Sequence, residues 1–380
     1  MKAVIAIDSF KGSLSTFEAG KAVSEGIKSV YPEAETVILP VADGGEGTSS
    51  VLAAASGAKE VEIEVCDPLL RRIKAKYYIS GDKAIMEMAA AAGLPLLSES
   101  ERDPLKTSTY GVGEMIKDAL SKGCRKIIMG IGGSATNDGG TGMLKALGFC
   151  FLREDSGPIG DGAGGLKELY EIKTDGVIKE LGSCEFTVAC DVENPLCGEN
   201  GASRVFGIQK GATKDKAAEM DKWMEKYAMI TKNVIPSADP MLPGSGAAGG
   251  LGFALTAYLG AELKKGINIV LKETEAEKHI KDADIVITGE GRLDSQSVMG
   301  KVPAGVAAEA KKAGKPVIAF AGCIGDGAEA CNSCGINAFF PILRKVCTLP
   351  EAMDNSNAYN NLKATVSQVF KLIKDVGKLK

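Results

Sequence analysis

An acidic residue set among glycines, directly after a short apolar run, recurs four times along this chain. Val4–Ile7 runs into Asp8-Ser9-Phe10-Lys11-Gly12-Ser13. Val37–Leu39 passes through Pro40 and Val41 into Asp43-Gly44-Gly45-Glu46-Gly47-Thr48. Ile127–Met129 leads to Gly130-Ile131-Gly132-Gly133-Ser134-Ala135-Thr136-Asn137-Asp138-Gly139-Gly140, and Ile285–Ile287 to Thr288-Gly289-Glu290-Gly291-Arg292-Leu293-Asp294-Ser295. In an open parallel α/β sheet the carboxyl ends of the strands share one edge, and ligands bind in the crevice there. Loops of this composition offer backbone N–H groups to phosphates and carboxylates to a metal or a proton. Lys11, Lys210, Lys301 and Arg292 can neutralise a transferred group. The set suits phosphoryl transfer, which asks a protein mainly for positioning and charge stabilisation.

Other chemistries lack their parts. Gly244-Ser245-Gly246-Ala247-Ala248-Gly249 fits a dinucleotide fingerprint, but so does Gly160-Asp161-Gly162-Ala163-Gly164-Gly165, and neither follows a convincing strand with an acid about twenty residues on. No Gly-Lys pair is followed by Ser or Thr, which excludes a Walker A loop, and no nucleophile elbow is present. The single histidine, His279, lies in a charged helical stretch, so histidine-based triads and His-rich zinc sites have no raw material. The ten cysteines are scattered through apolar segments and read as reduced thiols. A net charge of −4 without a basic run argues against nucleic acid, and no apolar run is long enough for a bilayer. Asp8 cuts the N-terminal apolar stretch short, so no signal peptide is read and a cytoplasmic protein is expected.

At 380 residues two domains are the default. Strand, loop and helix alternate over most of the chain, with an amphipathic helix from Thr16 to Val30 capped by Ser15 or Thr16. Residues 59–87 change character: Val61, Ile63 and Val65 alternate with charges, as do the residues after Ile73, which signals antiparallel hairpins. Strands are expected at 186–189, 285–288, 316–320 and 337–341, with helices at 303–313 and 359–376. The fold class read from this is α/β: a discontinuous Rossmann-like doubly wound parallel sheet domain (1–57, 101–149 and 281–380) plus an inserted α/β domain (58–100 and 150–280).

The loop motifs, with Cys190-Asp191-Val192-Glu193-Asn194-Pro195-Leu196 and Gly244–Gly250, run in order along nearly the whole chain and resemble those of the type-1 bacterial glycerate kinases. One departure is Ile208, in Phe206–Ala212, where that family usually has proline, a residue that would fix φ. The resemblance implies a Rossmann-like domain and a second α/β domain with the active site between them. It also implies ATP- and Mg²⁺-dependent phosphorylation of D-glycerate to 2-phosphoglycerate. A kinase giving 3-phosphoglycerate and a non-catalytic phosphometabolite sensor are the alternatives. A homodimer is left open.

Loop chemistry and this likeness together assign roles. Gly132, Gly133, Ser134, Thr136 and Asn137, preceding a helix, are expected to cradle nucleotide phosphates with Gly244, Gly246 and Gly249, although Thr136–Asp138 would serve equally as a helix cap. Asp43 and Glu46 are expected on the magnesium side. Ser9, Arg71 and Arg292 are the substrate candidates, because a carboxylate pairs best with an arginine fork, and Lys11 is a catalytic cation. With no usable histidine, the base for the hydroxyl proton is a carboxylate, Asp191 or Asp294, followed by Glu193 or Asp43.

Overall fold

The computed structural model describes residues 1–45, 47–298 and 300–377. Among these, thirteen strands occur in chain order. They begin with β1 (Lys2–Ile7), β2 (Glu35–Ile38), β3 (Lys59–Cys66), β4 (Arg72–Ser80), β5 (Lys83–Glu87) and β6 (Lys126–Gly130). β7 (Cys150–Leu152), β8 (Glu171–Lys173), β9 (Glu185–Ala189) and β10 (Glu262–Lys264) follow. The last are β11 (Ile285–Leu293), β12 (Val317–Ile324) and β13 (Ala338–Pro341).

The chain divides into two compact units. The first is built from Met1–Asp43, Ala54–Ser56 and Ile267–Lys380, and the second from Gly44–Ala53 and Gly57–Gly266. The first unit is thus discontinuous, with the second inserted between its β2 and β11.

In the first unit five parallel strands take the order β13-β12-β11-β1-β2. The chain leaves β1 toward one edge and, from β11, proceeds toward the other. The order therefore reverses between β1 and β11, the place where open α/β sheets bind ligands. One face of this sheet (Ala3, Ile5, Ile7, Ile287, Phe320) packs on the helices Thr16–Lys28 and Asn355–Val376 through Ala19, Val23, Ile27, Leu362, Val366 and Phe370. The first helix starts where it does because Ser15 and Glu18 form a reciprocal cap: the Glu18 N–H donates to Ser15 Oγ at 3.2 Å and the Ser15 N–H to Glu18 Oε2 at 2.8 Å. Helix Val302–Lys312, with Pro303 in its first turn, packs against β11.

The second unit has a six-stranded sheet of order β10-β9-β6-β5-β4-β3, antiparallel only through the expected hairpins β3–β4 and β4–β5, and the small pair β7–β8. Two expectations differ from this arrangement. Residues 101–149, read with the first sheet, lie in the second unit, because β6 pairs with β5 and β9 rather than with β1 or β11. β11 also outruns its predicted end at residue 288. β12 stays in register with it as far as Leu293↔Ile324, so much of the motif read as loop is strand. Gly289 is what permits this close pairing: a Cβ there would sit 1.9 Å from the Phe320 carbonyl oxygen.

Candidate active site

At the carboxyl ends of β1 and β11, within the first unit, lies a cavity of about 380 Å³. Asp8, Lys11, Asp43, Glu290, Arg292 and Lys301 contribute its charged wall, joined by Ser9 and Asp294. Asp8 directly follows β1 and is buried, at 6 % exposure. Burial, reinforced by the neighbouring charges of Asp43 and Glu290, lifts its carboxyl to about 7, against the opposing pull of the Ser9 N–H bond and of Lys11. The Ser9 N–H donates to Asp8 Oδ1 at 2.7 Å. Lys11 Nζ lies 3.3 Å from Asp43 Oδ2. Burial lowers the Lys11 ammonium, but Asp43, Asp8 and Glu290 outweigh it and the net displacement is upward.

Glu290, within β11, is also buried, which pushes its carboxyl above the ordinary range; Asp294 and Asp43 add to the rise, while Ser297 and Lys301 oppose it. Lys301 Nζ stands 3.8 Å from Glu290 Oε2, whereas the buried Oε1 has no hydrogen-bond partner. Arg292 is largely exposed and its Nε is 3.2 Å from Asp294 Oδ2. Four carboxylates and three cations thus share one cavity.

The second unit holds the other predicted residues. The Gly132–Asn137 loop is not at a helix N-terminus: the next helix, Thr141–Ala146, starts after Gly140 and has only six residues. Gly132 and Gly133 are exposed, while Ser134, Thr136 and Asn137 are buried. Lys210, fully buried, donates to Ser134 Oγ at 2.7 Å and to the Thr136 carbonyl at 2.6 Å. Burial pulls its ammonium down to about 7 despite the pull of Asp138. Ile208 begins the short turn that delivers Lys210. Asp138 accepts from the Thr109 N–H and hydroxyl and from the N–H groups of Gly140 and Gly142, and Asn137 Nδ2 donates to Ser203.

Gly244, Gly246 and Gly249 fit against protein. A Cβ would lie 2.8 Å from Leu263 Cδ1 at Gly244, 2.1 Å from the Pro195 carbonyl at Gly246, and 2.1 Å from the Thr136 carbonyl at Gly249. The N–H groups of Gly246, Ala247 and Gly250 donate to backbone carbonyls of Asn194, Gly244 and Gly246. This turn therefore packs on the Thr136 loop.

Asp191 is exposed and accepts from the Gly266 N–H at 3.0 Å. A Cβ at Gly44 would lie 2.8 Å from Asp191 Oδ2, so the Gly44 backbone runs beside this acid. Arg71 is committed elsewhere, to Asp67 at 2.6 Å and Glu101 at 2.5 Å. Glu46 lies outside the described residues.

The structure thus brings Ser9, Lys11, Asp43, Arg292 and Asp294 to one cavity, and Gly132–Asn137 beside Gly249 in the second unit. Sequence reasoning counted Glu290 only among the loop acids that could hold magnesium or take a proton, and it did not single out Asp8. Asp8 is the last polar step off β1, but its importance depends on β11 being its neighbour, which adjacency in sequence does not reveal.

Comparison with known proteins agrees with the site's chemistry. The model of the glycerate kinase family matches residues 3–374. A glycerate 2-kinase of Escherichia coli is 48% identical over 364 residues, covering 95% of each chain. A glycerate kinase of Halalkalibacterium halodurans is 47% identical, covering 93% of this chain and 94% of the relative. A crystal structure from Salmonella typhimurium, of a protein designated glycerate kinase 2, superposes with a TM-score of 0.90 at 44% identity, covering 100% of this chain and 99% of the other. A match over almost the whole length places this chain in the glycerate kinase family of phosphotransferases.

Proposed function

We propose that the protein transfers the terminal phosphoryl group of ATP to the 2-hydroxyl of D-glycerate, giving 2-phosphoglycerate. The observation that carries this reading is the convergence of Asp8, Asp43, Glu290, Lys11, Arg292 and Lys301 on one cavity at the strand-order reversal of a parallel sheet. The name of the Escherichia coli relative supports the 2-position.

Asp8 is the group we assign to the proton. A carboxyl titrating at about 7 is half ionised at neutral pH and basic enough to accept from a hydroxyl as the phosphoryl group arrives. Arg292 offers an exposed guanidinium to the glycerate carboxylate, and Ser9 a hydroxyl in the same cavity. Lys11 and Lys301 neutralise phosphoryl oxygens.

Magnesium is tested by the residues present. Among the described residues no three metal-binding side chains cluster into a ready-made cage. Magnesium needs none, since it is commonly held by one or two carboxylates together with substrate phosphates. Asp43 and the unpartnered Oε1 of Glu290 supply those carboxylates and fit the ion. When bound with the nucleotide it would offset charge on the transferred group. In the second unit the exposed Gly132–Gly133 backbone remains the candidate for a phosphate, and Asp191 the alternative base.

An assay coupled to enolase without a mutase tests the reading. Enolase consumes 2-phosphoglycerate directly, so ATP, magnesium and glycerate should together produce phosphoenolpyruvate. Signal only after adding a phosphoglycerate mutase would shift the acceptor to the 3-hydroxyl. No nucleotide consumption with glycerate would refute the proposal.

A further inference from the structure

The cavity of the first unit has a second wall that transfer chemistry does not use. Besides the charges, the cavity is lined by Phe10, Leu343, Leu349 and Met353, together with Ile342 and Ala352. Three of these are large apolar side chains left open: Leu349 is 74% exposed, Leu343 40% and Met353 37%.

Single exposed apolar residues are ordinary, but a group of them lining a cavity beside cations marks a ligand with both apolar and anionic parts. Glycerate has three carbons, each bearing oxygen, and gains nothing from such a wall. A cavity of about 380 Å³ also exceeds what so small an acid occupies.

The wall is held in place. Thr348 and Glu351 cap the short helix Leu349–Met353 reciprocally, the Thr348 N–H donating to Glu351 Oε2 at 2.8 Å. Asn355 just beyond donates from Nδ2 to the Ser13 carbonyl at 2.8 Å and to Glu18 Oε1 at 3.1 Å. Gly12, at φ +81°, lets the Asp8–Ser13 loop pass close to Met353, where a Cβ would come within 2.8 Å of Met353 Cε.

We infer that this wall is the seat of the nucleotide's purine ring, with Phe10, Leu343, Leu349 and Met353 against the base and Lys11 and Lys301 toward the phosphates. The inference rests on the kinase reading above and adds to it where the nucleotide lies. It also makes the first unit, rather than the Gly244–Gly250 turn of the second, the main nucleotide-binding element.

The test uses the full chain. Leu349→Asn and Met353→Asn alter exposed side chains without adding charge, so folding should survive, which a melting curve checks. In the double variant KM for ATP should rise about tenfold or more while KM for glycerate stays within about twofold. Calorimetry with two probes separates base from phosphate: adenosine affinity should fall by a similar factor, and tripolyphosphate affinity should hold. Unchanged KM for ATP with unchanged adenosine binding in the folded double variant would overturn the inference, as would an effect on glycerate alone. Wild-type protein that does not phosphorylate glycerate would instead sink the kinase reading, and adenosine binding by the same two variants would still decide where the base sits.

Discussion

The two units use glycine-rich turns in opposite ways. In the first unit the turns after β1 and β11 leave room, and charged side chains fill the margin of that room. In the second, the Gly244–Gly250 turn is driven into the Thr136 loop, and Lys210 fills the space beneath it. In both units an ionisable group is buried and displaced to about 7: Asp8 upward, Lys210 downward. Asp8 borders a cavity, whereas Lys210 spends its donors on Ser134 and the Thr136 carbonyl. A glycine-rich turn thus reports close approach, and only its neighbours in the fold decide whether a ligand or the protein itself makes that approach.

The largest effect that would sharpen this contrast is at Asp8. Asp8→Asn should lower kcat about a hundredfold or more and yet stabilise the free protein at pH 8. The sign follows from the carboxyl lying near 7 in the folded chain against an ordinary 3.8. Between those values the folded state keeps a proton that the unfolded chain has lost, so stability falls as pH rises through the window. The gain from Asn should therefore be full above pH 7, at most about 4 kcal/mol, and vanish near pH 4. Denaturant melts at pH 5 and pH 8 measure it, and equal stability of both proteins at both values would show that Asp8 carries no burial cost.

Gly249→Ala comes next. At φ +66° and with the Thr136 carbonyl 2.1 Å from the new methyl group, it should cost about 3 kcal/mol, read from the same melts. A neutral result would mean that the turn is open after all. Arg292→Lys keeps the charge but loses the fork, and should raise KM for glycerate several-fold with KM for ATP nearly unchanged. An unchanged glycerate KM removes Arg292 from the substrate site. The smallest effect is expected at Gly133→Ala, about 1 kcal/mol of destabilisation from φ +73° alone, because the nearest atom, Ala89 Cβ, is 3.7 Å away.

Much of the fold could be read in the residues. The hairpins of 59–87 followed from strict alternation, and the parallel strands from apolar runs ending in polar turns. The allotment of 101–149 could not be read, because β6 looks like any buried parallel strand and only its hydrogen-bonded partners show which sheet owns it. The site was legible as a collection of motifs but not as a hierarchy. Lys11, Asp43, Arg292 and Asp294 were picked out by type and loop, and they do share a cavity. Asp8 and Glu290 gain their character from burial and from neighbouring carboxylates, quantities that arise only after β1 and β11 are side by side. The ion pairs of Arg71 were not legible, since its partners Asp67 and Glu101 are set by a turn and a distant segment.

The claim that phosphoryl transfer occurs in the first unit's cavity, with Asp8 as the base, is tested most directly by the pH dependence of kcat/KM for glycerate, which reports ionisations of the free enzyme. The account predicts that the wild-type value rises with pH through an acidic limb centred at about 7, following deprotonation of Asp8. In Asp8→Asn that limb should be missing and the low residual rate flat across it. A limb that persists unchanged at the same pH in Asp8→Asn would assign the proton to another carboxylate and contradict the account.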